Sequence, residues 1–105
     1  MKVKLNIPER YLLIQAIPQK GNFKTMSILE SLTKVLYPSE IEVEKYGIEV
    51  KEDRIVWNED AIQFVELELT EKQIEVLIDE FKIRSDKDDL NFNQYLLYKK
   101  LKNNG

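Results

Sequence analysis

The chain contains neither histidine nor cysteine. Without imidazole it lacks the commonest general base near neutral pH, and without thiols it has no disulfide, no thiolate zinc site and no cysteine nucleophile. Serines 27, 31, 39 and 85 therefore have no imidazole to activate them. Glycine and proline number three each, and the glycines form no run, so no phosphate-cradling loop is encoded. Long apolar runs are also missing: stretches such as Leu12 to Ile14 fall far short of a membrane span. Met1 to Asn6 carries no apolar h-region, which makes an intracellular, reducing compartment the expectation.

What is present is 105 residues, 43% hydrophobic and 33% charged. That balance predicts one soluble, folded domain over residues 1–105. The net charge of −3 conceals a strong segregation. Residues 1–37 are net +4 and residues 81–105 net +3, while residues 38–80 carry fourteen carboxylates against four cations, net −10. Such a chain folds either with one acidic face that attracts a basic partner, or with its acidic middle packed on its own basic ends.

Periodicity supplies the elements. Lys2 to Ile7 alternates, predicting a strand with Val3, Leu5 and Ile7 on one side. Pro8 and Glu9 suit the first turn of a helix over Pro8 to Ile17. Ile28, Leu29, Leu32, Val35 and Leu36 give a stripe for a helix over Thr25 to Leu36. Ser39 with Glu42 fits a capping box for a helix to Tyr46, capped by Gly47, although Ile41 and Val43 alternate as a strand would. Ile48, Val50, Ile55 and Trp57 flank a polar connection and predict a hairpin. A longer strand runs from Ile62 to Leu69, with a slip between Phe64 and Val65 read as a bulge. Thr70 and Gln73 cap a helix over Glu71 to Ile83 with Ile74, Leu77, Ile78 and Phe81 inward, and a last helix carries Phe92, Tyr95, Leu96, Tyr98 and Leu101. The resulting class is α+β: a small antiparallel sheet of N-terminal strand, hairpin and long strand, packed against four or five helices.

Candidate sites are few. Asp86 to Leu97 fails as a calcium loop, with Leu90 at the fifth position, Asn91 where glycine is required and Leu97 where glutamate is required. No spacing selects a catalytic carboxylate pair, so the expectation is a non-enzyme with no cofactor and no metal. Helix, turn, helix, hairpin is the order of a winged helix-turn-helix. Its would-be recognition helix, however, carries Glu40, Glu42 and Glu44, and its would-be wing carries Glu49, Glu52 and Asp53, which repel phosphate. Trp57, Tyr11, Tyr37, Phe64, Phe81, Phe92, Tyr95 and Tyr98 are expected in the core, since such rings dominate small interiors.

Several segments resemble those of small uncharacterised proteins encoded by tailed phages and prophages: Ile7-Pro8-Glu9-Arg10-Tyr11-Leu12-Leu13, Gly21-Asn22-Phe23-Lys24-Thr25-Met26, Val56-Trp57-Asn58, Glu66-Leu67-Glu68-Leu69-Thr70 and Tyr95-Leu96-Leu97-Tyr98-Lys99-Lys100. The likeness spans most of the chain and departs from the expected acidic helix at Ile41 and Val43. It implies a phage-encoded origin and a host-cytoplasmic location, and it names no activity. The sequence therefore predicts an accessory protein that binds a basic protein partner through its acidic middle, with Glu42, Glu44, Glu49, Glu66 and Glu68 as the contact residues. The alternative is a small winged DNA-binding regulator, with nucleic acid disfavoured by charge and no membrane association.

Overall fold

The structure, a computed structural model, describes residues 1–103. Strand β1, Lys2–Leu5, buries Val3 and Leu5 completely and turns Lys2 and Lys4 outward. The alternation stops at Asn6. Its side chain accepts from Glu9 N while Glu9 Oε1 accepts from Asn6 N, a reciprocal cap that starts helix α1, Ile7–Ala16. Ile7 therefore opens a helix and does not extend the strand.

Helix α2, Phe23–Leu36, starts two residues earlier than its apolar stripe indicates, because Asn22 accepts from Thr25 N at 2.8 Å. Helix α3, Glu40–Lys45, is capped by Ser39 and Glu42 as the sequence predicts. Gly47 takes φ 57°, and Ile48 N donates to Val43 O at 3.0 Å, closing the helix. Strands β2, Glu49–Lys51, and β3, Arg54–Val56, form the hairpin, with Val50 opposite Ile55. Helix α4, Glu71–Asp86, has the predicted Thr70–Gln73 cap. Helix α5, Phe92–Asn103, begins with Asn91 and Gln94 exchanging cap bonds.

The class is α+β, with five helices, a small antiparallel sheet and a hairpin among the described residues. Two details differ from the sequence reading. Strand β4, Val65–Glu68, pairs with β1 alone, and the hairpin is a separate two-stranded unit. The slip at Phe64 marks an element boundary and not a bulge. Residues Glu59–Ile62 form a 3-10 turn, capped by Asn58, whose Oδ1 accepts from Asp60 N at 2.9 Å and whose Nδ2 donates to Lys45 O at 3.1 Å. That turn takes Ile62, the first residue of the predicted strand, and Gln63 caps its end.

Val3, Leu5, Leu13, Leu29, Leu32, Leu36, Leu69, Ile74, Leu77, Phe81, Leu97 and Leu101 make one continuous core, in which α4 packs on α1, α2 and α5. A second, smaller core joins Ile7, Tyr46, Ile48 and Ala61, with Tyr11 and Trp57 stacked at 6.1 Å. It fastens α3 and the hairpin to α1. Four rings expected inside are exposed instead: Tyr37, Phe64, Phe92 and Tyr95.

Candidate functional site

The five acidic residues singled out by charge differ in what they face. The register places Lys2 opposite Glu68 and Lys4 opposite Glu66 on the outer side of the β1–β4 pair, an arrangement in which opposite charges attract across the strands. Glu68 also accepts from the Met1 ammonium at 2.9 Å. That bond and the ammonium charge, with Lys2 adding to them, hold the Glu68 carboxyl below its ordinary range. Glu66 lines a shallow cleft of 370 Å³ with Lys2, Lys4 and Lys100. These two carboxylates face the chain's own basic residues, so on this strand the charge segregation is largely self-neutralising.

Glu42 is committed more deeply. Arg10, only 2% exposed, sends Nη1 to Glu42 Oε2 at 2.6 Å and Nη2 to Glu42 Oε1 at 3.3 Å. The same guanidinium donates from Nε to Leu36 O at 2.9 Å and from Nη2 to Val35 O and Tyr37 O. It thus satisfies the carbonyls at the C-terminal end of α2 and grips the first turn of α3. Burial alone would raise the Glu42 pKa, but the hydrogen bonds from Arg10 and Ser39 and the Arg10 charge outweigh it and hold the carboxyl below its usual value. Nearby, burial and Tyr37 push the Tyr11 hydroxyl upward against the Arg10 charge. Arg10 is the polar centre of this corner, and Glu42 is turned inward to it.

Glu44 and Glu49 remain on the surface, Glu49 in a loose 3.5 Å pair with Lys51. The same two elements expose apolar side chains: Ile41 is 79% and Val50 77% exposed, with Val43 also exposed. The alternation of Ile41 and Val43 that argued for a strand therefore belongs to a helix whose apolar residues face solvent. A second apolar surface lies on α5, where Phe92, Tyr95 and Leu96 are exposed, the two rings 6.2 Å apart. Lys99 Nζ sits over Tyr95 at 5.7 Å, and Lys100 Nζ sits over Phe64 at 4.4 Å while donating to Glu9 at 3.0 Å. Spacing did reveal which α5 residues are apolar, but not that the helix has an outward apolar face as well as an inward one.

Among the described residues no group of three or more Asp and Glu is placed to hold a metal ion, and no helix is long and apolar enough to cross a membrane. Asp86 to Leu97, which fails as a calcium loop, is the end of α4, a short link and the first turns of α5, with Asp88 at φ 54° and Asp89 N donating to Arg84 O at 2.7 Å. The helix of the winged arrangement is six residues long and acidic. Compared with family models, curated proteins and solved structures, the chain matches none.

Proposed function

We propose that this is a non-catalytic accessory protein of phage or prophage origin, acting in the host cytoplasm by protein–protein contact through its acidic middle. The observation that carries the reading is the surface of α3 and the hairpin. Ile41 on α3 and Val50 on β2 are each more than three-quarters exposed, and the same elements carry the exposed Glu40, Glu44 and Glu49. Exposed apolar side chains beside a mainly acidic set of charges, here with Lys45, Lys51 and Arg54 among them, are the composition of a contact surface, in which the apolar groups supply affinity and the charge steers encounter. With Glu42 given to Arg10 and Glu66 and Glu68 facing lysines and the N-terminus, the contact narrows to Glu44 and Glu49 with Ile41 and Val50 beside them.

The test compares wild-type bait with a Glu44→Lys, Glu49→Lys double variant in a lysate of host cells expressing the protein. A protein captured in a salt-sensitive manner by the wild type and lost with the variant, a second copy of the chain included, supports the reading. Identical capture by both baits sinks it. Titration with random duplex DNA at two salt concentrations addresses the winged-regulator alternative, since tight, strongly salt-dependent binding would replace protein contact as the function.

A further inference from the structure

We propose that residues 38–63, which comprise α3, the hairpin and the 3-10 turn, form a flap that opens from the rest of the fold as one cooperative unit, with the Arg10–Glu42 pair as its latch. Opening is a conformational device of the fold and leaves the body of the molecule intact.

The apolar interior divides by segment. Among the described residues the larger core draws its buried members from residues 3–36 and 69–101 and none from the flap, while three of the four buried members of the smaller core, Tyr46, Ile48 and Ala61, belong to the flap. The fourth, Ile7, and the Tyr11 ring stacked on Trp57 both come from α1. One helix supplies the seat. Hydrogen bonding divides in the same way: β2 pairs with β3, Ile48 N donates to Val43 O, Asn58 N donates to Tyr46 O at 2.8 Å, and Asn58 Nδ2 donates to Lys45 O, so the flap's backbone closes on itself. Among the described residues the hydrogen bonds that tie flap to body are the two from Arg10 to Glu42.

Such a unit separates at low cost. Helix α3 buries no residue and β2 is exposed throughout, so parting the flap from α1 uncovers far less apolar surface than parting α4 from its neighbours. Nor does the latch strand its members when it breaks. Arg10 keeps the carbonyls of Leu36, Val35 and Tyr37, which lie on the body, and Glu42 keeps its bond from Ser39 N within the flap. Ile41, Glu44, Glu49 and Val50 all lie on the flap, so occupancy of that surface and the opening are linked equilibria, although the opening does not rest on the contact reading.

The sequence supplies the probe. Trp57 is the one tryptophan of the chain and lies in the flap, whereas most of the helical signal comes from α1, α2, α4 and α5. Urea unfolding of the full chain should change Trp57 fluorescence at lower urea than far-ultraviolet circular dichroism. In native-state hydrogen exchange the amides of Ile48 and Asn58 should open at lower free energy, and with a weaker dependence on urea, than those of Leu77 and Phe81 on α4. Glu42→Gln keeps the α3 cap and removes the charge from the latch; it should speed exchange at Ile48 and Asn58 about tenfold or more and leave Leu77 and Phe81 as in wild type. Where the optical and exchange readouts disagree, exchange decides. Ile48 and Asn58 exchanging at the same free energy as Leu77 would overturn the flap, and an early change at Trp57 would then be motion of the ring alone. Separate openings that Glu42→Gln shifts equally would overturn the latch.

Discussion

Arg10 Nη1 and Glu42 Oε2 are 2.6 Å apart, and the guanidinium that makes this bond also donates to three carbonyls at the end of α2. One side chain on α1 therefore fixes both the exit of α2 and the entry of α3. Replacing Arg10 by Ala leaves Glu42 half-buried without its counter-charge and orphans those carbonyls. The expected loss is about 3 kcal/mol, toward the lower end for a broken buried pair because Glu42 is partly exposed. Arg10→Lys should recover only a fraction, since an ammonium cannot reproduce the fork. Chemical denaturation measures both, and a loss below about 1 kcal/mol for Arg10→Ala would equate the pair with an ordinary surface salt bridge.

The depressed Glu42 pKa fixes the sign of a pH effect. The folded protein holds this carboxyl ionised to lower pH than the unfolded chain does, whose value is near 4.5. Its contribution is complete above the unfolded pKa and is lost as the pH falls through the folded one. Stability should decline from about pH 5 downward, and Glu42→Gln, which keeps the cap, should flatten that decline relative to wild type. Parallel curves for the two proteins would mean that other carboxylates dominate acid unfolding.

Leu77 is fully buried on α4, in the core shared with Val3 and Leu5. Leu77→Ala should cost about 2 to 5 kcal/mol through lost burial and the cavity left behind. That is a large part of the stability of a domain this size. An unchanged unfolding midpoint would contradict the core assignment.

Cap and stripe coincide in α4, where Thr70 and Gln73 specify the start and Ile74, Leu77 and Phe81 the buried face, so the sequence suffices to place this helix. Local signals mislead where a polar cap falls in step with an alternation: Asn6 occupies an outward position of the Val3-Leu5-Ile7 pattern, and only its bond to Glu9 N shows that a helix begins there. Arg10 was invisible as a structural centre. Its acceptors lie 25 to 32 residues away in the chain, and no local pattern distinguishes a buried arginine from a solvated one. Net charge along a segment says nothing of pairing, and among the five candidate glutamates Glu42 turns to Arg10 and Glu68 to the Met1 ammonium. The register of β1 and β4 sets Glu66 and Glu68 opposite Lys4 and Lys2, whereas Glu44 lies on α3 and Glu49 on the hairpin.

Zinc, calcium and magnesium should each leave the melting temperature unchanged. No cluster of three carboxylates is assembled among the described residues, and a cation that binds only the native state must raise the midpoint by mass action. A rise of several degrees with one cation, measured by calorimetry, would show that exposed carboxylates of the acidic middle converge on it.

The outer side of the β1–β4 pair gives the sharpest test of how the segregated charge is used. Lys4 faces Glu66 across the strands, and both are exposed. Opposite charges so placed contribute roughly 0.2 to 1 kcal/mol, and like charges cost a similar amount. Glu66→Lys should therefore lower stability by up to about 1 kcal/mol, more at low salt than at high, because Lys2, Lys4 and Lys100 line the same cleft. Adding Lys4→Glu should restore most of the loss by exchanging the charges. If Glu66→Lys is neutral at low salt and Lys4→Glu does nothing to rescue it, the facing charges are merely solvated. Glu66 would then return to the acidic contact surface from which its neighbours now separate it.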